Sequence, residues 1–507
     1  MLTANEATTE TKHDADLLTE RRDSTSSAEP SASSNPGPSL DWTFGALPVL
    51  AMTLVGQIWA TTSLLPMYRD GSYYFLKMWG LGNPLIAHGR IGAQLIQMPF
   101  LWLTEKFHNF GLSVLAFDAS YAAVPFIALV LSWLCVRKTH PYLMVWPVVA
   151  ISLTMLSAKA DYVSENTIAQ QLIWPAFLCL LTKPNFAKTL LILALCAFAL
   201  SLHPVAIPLM GIMATTAATL AFCERNGARN FCGTKNEGLP EGNSVNTRRV
   251  AYYSIMSLII CAAGLTRLAY FILYPQSYEQ GLLGASFFSY LVDCGLAFPP
   301  VLTALGSIAG GALLLVAKDK KSFAFIASIC ALVVGGAAAI YWCASPQFWH
   351  QSFWYQKVLI VYFAFLMLCA LVDSRRNAQF KPQSAGDRKL LQNRSIIWNV
   401  VGAISLIAVS IQATTWTRIS TDLKTEVAMN AQQLVEREQI LWLKNTPFDH
   451  WSSNTYAIVM QGTYPHKSLL PKEEIEFVNR TGTSRVTPWD EAYTGNHYRL
   501  PTIRKAH

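Results

Sequence analysis

The sequence predicts an all-α polytopic membrane protein of about 11 transmembrane helices, counted on a template of about 20 apolar residues per span. The amino terminus is expected inside and the carboxy terminus outside, with a small exported α/β appendage. Three observations carry this. Of the 507 residues, 52% are hydrophobic and 14% charged, against about 25% charged in ordinary soluble chains. The apolar residues arrive in charge-free runs, at 147–157, 190–202, 255–265 and 358–372. The basic residues alternate from one gap between runs to the next. A soluble Rossmann or barrel core is excluded.

The elements follow in order. Residues 1–42 form a tail rich in Ser, Thr, Glu, Asp and Pro. It buries too little apolar surface to offset its ordering entropy and is expected to be a disordered cytoplasmic segment. The first apolar run starts near Phe44 and is too long for the core of a signal peptide, so none is expected. The transmembrane domain occupies 43–414. Its spans are expected near 45–66, 114–136, 141–157, 166–182, 186–201, 204–223, 250–274, 294–316, 322–343, 357–373 and 395–414.

Charge gives the orientation. One set of gaps holds Arg137 and Lys138, then Lys183 and Lys188, then Arg225, Arg229, Lys235, Arg248 and Arg249. It continues with Lys318, Lys320 and Lys321, and then with Arg375, Arg376, Lys381, Arg388, Lys389 and Arg394. The other set is poor in basic residues: the gap around Tyr278 has none, and that around His350 has none before Lys357. The positive-inside rule places the first set in the cytoplasm. The net charge of +8 forms no continuous patch, so no nucleic-acid partner is implied. Ten cysteines, none in a CxxC pair and nearly all in apolar runs, read as small buried hydrophobes.

Two outer segments are longer than connectors. In the loop 67–113, stretches 73–79 and 85–103 read as interfacial helices because Lys77, His88, Arg90 and Gln94 interrupt their apolar residues. Residues 91–103 are alternatively a twelfth span. In the exported domain, 415–507, a helix is expected from Ser420 or Thr421 to about Lys444, with Leu423, Val427, Ala431 and Leu434 on one face. Pro447 stops it, and 456–461 reads as a strand. Gly306 and Gly310 form a GxxxG pair suited to close helix packing.

No nucleotide, nicotinamide, HExxH or GxSxG motif is present. Chemistry is then sought among ionisable residues at the outer membrane face, where charge is costly. Asp70, in the segment 67–74 (MYRDGSYY), can take a proton from an attacking hydroxyl or bind a divalent cation. Its structural alternative is a cap on a helix over 72–79. Asp161 and Glu165, in 160–166 (ADYVSEN), stand four residues apart, so on a helix they share a face and share either a proton or a cation. The alternative is a solvated loop with Glu165 at a helix start. Arg267 either snorkels to the interface or binds a lipid phosphate. His88 and Arg90 follow the first amphipathic stretch, His203 sits at the turn in 201–204 (SLHP), and His350 lies in an aromatic belt.

The arrangement resembles the GT-C class of membrane glycosyltransferases, which includes protein O-mannosyltransferases and the lipid A aminoarabinose transferase. The resemblance rests on 68–74 (YRDGSYY), on 88–94 (HGRIGAQ) through 97–99 (QMP), on 164–166 (SEN) before a span, and on the topology. It implies an inverting transferase at the outer face of a bacterial cytoplasmic (inner) membrane. The donor would be a polyprenyl-phosphate-linked sugar and the acceptor a glycan, lipid or protein. Asp70 would be the base, Asp161 and Glu165 would orient the acceptor or share Mg or Mn with Asp70, and Arg267 with Arg90 would hold the carrier phosphate. Many members carry two adjacent acids in this loop, whereas here Gly71 follows Asp70. Competing readings are a secondary transporter or lipid flippase, and a polysaccharide polymerase or ligase.

Overall fold

The computed structural model describes residues 40–68, 70–86, 90–157, 162–225, 247–274, 348–378, 380, 384–430, 434–436, 450–461, 468–470 and 472–481. These residues are almost entirely helical. Five helices are long and apolar enough to cross a membrane: Gly45–Thr62, Phe110–Val136, Ala206–Arg225, Thr247–Leu273 and Ala385–Met429. Two shorter apolar helices lie at Pro141–Met155 and Phe186–Leu202. Nine of the expected spans fall on described residues, and each coincides with a helix. Those at 294–316 and 322–343, the Gly306–Gly310 pair and the tail before Leu40 lie outside the described residues.

Helix α1 (Leu40–Thr62) is followed by Leu64, a left-handed residue (φ 59°, ψ 30°), which leads into a 3-10 turn at Leu65–Met67. The first loop then carries α2 (Asp70–Leu81) and α3 (Ala93–Phe107). Helices α4 (Phe110–Val136), α5 (Val145–Ser157), α6 (Glu165–Leu181), α7 (Phe186–Leu202), α8 (Ala206–Arg225) and α9 (Thr247–Leu273) follow. Helices α10 (Phe348–Arg376) and α11 (Ala385–Met429) complete the bundle among the described residues. Local chemistry sets several starts, each satisfying amides that a helix leaves open at its first turn. Asn109 accepts from the Leu112 amide at 2.9 Å ahead of α4, and Asn185 from the Lys188 amide at 2.8 Å ahead of α7. Ser384 caps α11 through the Asp387 amide at 3.1 Å.

Helix α6 is the centre of the bundle. All of its residues are buried, the condition in which a helix can be apolar all round. Helices α4, α5, α7, α8 and α10 pack against it. The loop helices are fastened to this body by aromatic rings. Phe75 of α2 meets Phe100 of α3 at 5.4 Å, and Phe110 and Phe117 of α4 at 5.3 and 5.8 Å. Such edge-on and tilted contacts add to the area buried.

At the other end of the bundle a buried ion pair joins α10 to α11. Arg394 donates through Nη2 to Asp373 Oδ1 at 3.1 Å, and Trp146 Nε1 of α5 donates to Oδ2 at 2.9 Å. Asn377 adds a third donor to Oδ1 at 2.9 Å. With each carboxylate oxygen bonded, the pair locks three helices in register.

The segment after the bundle differs from its expected form. No separate helix begins at Ser420 or Thr421, because α11 runs unbroken through them and ends at Met429, where Asn430 turns extended. Residues 456–461 are helical, within α12 (His450–Gln461). A short apolar run has no period that separates strand from helix, and packing on α2 and α11 decides for helix here. Among the described residues the strand content is two three-residue strands, β1 (Leu434–Glu436) and β2 (Ser468–Leu470), paired in parallel with Leu434 opposite Ser468. Helix α13 (Lys472–Thr481) follows β2.

Candidate functional site

The site is built where the loop helices meet the start of α6. Asp70 is the first residue of α2 and is half-buried. A carboxylate at a helix start is favoured by the amides there. The next residue shows why this turn has its sequence. A Cβ on Gly71 would lie 1.7 Å from the Pro66 carbonyl oxygen and 2.8 Å from its carbon. Only glycine fits that approach, and no left-handed dihedral is involved. The glycine that departs from the paired acids of the GT-C pattern is therefore a spatial requirement of this chain.

One turn after Asp70, Tyr74 lies on the same face. It is 5% exposed and hydrogen-bonded to Glu165. Burial first, then the charges of Glu165 and Asp70, push its phenol well above the ordinary range, with Arg90 opposing. Tyr74 therefore stays protonated and donates. Glu165 opens α6 just ahead of the expected span, at the helix start that its structural alternative gave it, but buried and not in a solvated loop. Its Oε2 accepts from Arg90 Nη1 at 2.7 Å, with the two side chains 3% and 9% exposed. Burial raises its carboxyl above the ordinary value, while Arg90 and Tyr74 act the other way.

Arg90 is thus held by Glu165 and does not stand as an open phosphate ligand. Its loop is fixed from both sides. The Leu85 amide donates to Gln97 Oε1 at 2.9 Å, and Gln97 Nε2 donates to the Tyr121 hydroxyl at 3.3 Å. The Gly92 amide donates to the Ser201 carbonyl at 3.2 Å, where a Cβ on Gly92 would come 2.3 Å from Ser201 Oγ.

Two further expected residues border that contact. Arg267 of α9 donates through Nε to the Leu200 carbonyl at 3.1 Å, and its guanidinium lies 5.2 Å from the Tyr270 ring. His203 ends α7, its Nδ1 accepting from the Val205 amide at 3.1 Å. Both are half-buried. His88 and Asp161 lie outside the described residues. His350 is in the first turn of α10, and its side chain lies outside the description. The structure therefore brings together Asp70, Arg90 and Glu165, and sets Arg267 and His203 at the α7 end beside the Arg90 loop.

Sequence reasoning gave no role to Tyr74, Gln97 or Tyr121, although the first two lie in the segments 68–74 and 97–99 that carry the resemblance. It also missed Asp118 in α4, which is 0% exposed with neither carboxylate oxygen hydrogen-bonded. An acid inside an apolar run was the available signal. Among the described residues no group of three or more His, Cys, Asp or Glu could hold a metal. Glu165 has a guanidinium where a shared cation was expected, so among the described residues Asp70 and Glu165 do not by themselves assemble an Mg or Mn site, and Asp161 lies outside them.

No family model, no curated protein and no solved structure matches this chain.

Proposed function

We propose that the chain is a polytopic glycosyltransferase of about 11 spans, inverting, acting at the outer face of a bacterial inner membrane. It would transfer a sugar from a polyprenyl-phosphate carrier to a hydroxyl acceptor. The observation that carries this reading is a half-buried carboxylate, Asp70, at a helix start immediately after the first span, on one face with the Tyr74–Glu165–Arg90 chain.

Asp70 takes the proton of the acceptor hydroxyl as its oxygen bonds to the anomeric carbon. The bond from that carbon to the phosphate oxygen breaks, and polyprenyl phosphate leaves with the electron pair. A phosphate needs little acid assistance on departure, so stabilising its charge matters more. Arg267 at the α7 end is the cation suited to that role, since Arg90 is committed to Glu165. Tyr74, Glu165 and Arg90 hold the floor on which Asp70 stands. The test is Asp70→Asn in purified protein. It should melt like the parent and release no polyprenyl phosphate from any of a set of polyprenyl-phosphate-linked hexoses and pentoses. Full turnover would overturn the assignment.

One observation favours a second reading, ion-coupled transport: the buried carboxyl of Asp118 inside a helix able to cross a membrane. That reading expects solute uptake into vesicles driven by a pH gradient and abolished by Asp118→Asn. Sugar transfer that survives the same substitution would count against it.

A further inference from the structure

We propose that helix α12, in the segment after the last span, is a working part of the site, with Thr455 and Tyr456 as positioning residues that fix the turn carrying Asp70. The proposal rests on the reading of Asp70 as the base.

The turn between α1 and α2 is held in a conformation that it would not adopt alone. Leu64 is left-handed without being glycine, a backbone state that persists only when its surroundings over-determine it. Later in the same turn, the Gly71 backbone is pressed on the carbonyl of Pro66, five residues before it. Two elements distant in sequence grip it. From α11, Trp416 Nε1 donates to the Leu64 carbonyl at 2.8 Å, and the Trp416 ring stands edge-on to Tyr68 at 4.9 Å. From α12, Thr455 Oγ1 shares a hydrogen bond of 2.8 Å with Ser72 Oγ, two residues after Asp70.

Tyr456 joins the two grips. Its ring lies 4.6 Å from that of Trp416, and its hydroxyl is hydrogen-bonded to Ser420 of α11. Ser72, Thr455, Tyr456 and Trp416 are each no more than 1% exposed. A cap that only covered apolar surface would need no buried hydroxyls. Paired hydroxyls in a dry interface impose one register, because any slip leaves them unsatisfied. The register that they impose is that of α2 against α11, and Asp70 begins α2. Helix α12 therefore sets where the carboxylate points, although it carries no acid or base for the reaction.

The test uses the full chain in nanodiscs with Thr455→Val, Thr455→Ser and Tyr456→Phe. Turnover of polyprenyl-phosphate-linked sugars is read as released polyprenyl phosphate, and amide hydrogen exchange is followed over 65–81. A misplaced reactive group costs about a hundredfold per ångström. Thr455→Val and Tyr456→Phe should each lower kcat about tenfold or more with KM for the donor unchanged, and Thr455→Ser should restore it. Exchange at 65–81 should quicken in the first two variants while that of α6 and α7 stays as in the parent. Unchanged kcat in Thr455→Val and Tyr456→Phe would overturn the proposal. If the parent itself transfers no sugar, the proposed activity fails, and the exchange data alone then judge the clamp. Unchanged exchange at 65–81 would reject it.

Discussion

A single methyl group added at Gly71 is the sharpest probe of the Asp70 turn. In Gly71→Ala the new Cβ starts 1.7 Å from the Pro66 carbonyl oxygen. Real Cβ atoms essentially never come within 3.0 Å of another heavy atom, so α2 and the 3-10 turn must separate by roughly 1.3 Å, a backbone shift of the kind that overpacking forces. The obstacle is backbone on both sides, so no side chain can swing away; Val163, with Cγ2 at 3.2 Å, is the lesser problem. Overpacking of this kind costs about 1–3 kcal/mol of stability. The displacement falls on the residue next to Asp70, so turnover should drop about a hundredfold. The assay is release of polyprenyl phosphate beside a thermal melt of the same preparation. Gly71→Asp, which would supply the second acid of the GT-C pattern, should fail as badly as alanine. Parental turnover or an unchanged melt in either variant would refute the close approach and the argument built on it.

Three other outcomes follow from buried charge. Glu165→Gln leaves Arg90 facing a neutral amide and should cost about 3–5 kcal/mol, whereas adding Arg90→Met should recover much of the loss; additive losses in thermal melts would mean that the two residues do not act as a pair. Burial holds the Glu165 carboxyl above its ordinary value of 4.5, so between 4.5 and the raised value the folded chain binds more protons than the unfolded one. Stability from this group falls as pH rises through that window and is level above it; Glu165→Gln should flatten that limb of the melting curve against pH, and a limb that persists would clear Glu165 as its source. Asp118→Leu removes an acid of a kind that costs about 2.5–3.5 kcal/mol at the membrane centre and should raise the melting temperature, while a lower one would show that the carboxyl is bound to something it needs.

Local features were readable from the sequence to the extent that they depend on local forces. Long apolar runs with few charges pointed to the helices from α4 to α9, since hydropathy and length act within each segment. Asp70 stood out as an acid just past a span, and 164–166 marked the start of α6 with Glu165 in its first turn. The Arg90–Glu165 pair joins residues 75 positions apart, and no period or spacing encodes such a partner. Tyr74 and Gln97 lay inside quoted motif segments without a role of their own, because their polar atoms bond only after the helices dock. The helix over 450–461 was hidden for the same reason: Tyr456 and Ala457 are buried by α2 and α11, not by an alternation of their own.

The unbroken α11 ties the two ends of the bundle together. Arg394 and Trp416 are separated along it by about 33 Å at 1.5 Å per residue, close to the roughly 30 Å of a bilayer's hydrocarbon. Near one surface the helix is held by Asp373, and near the other by Leu64 and Tyr456. A rod pinned at both surfaces can neither slide like a piston nor roll about its axis without breaking buried polar contacts. Helix α9, with 17% of its apolar window buried against 50% for α11, packs chiefly on α8, leaves most of its apolar surface uncovered by protein, and carries Arg267.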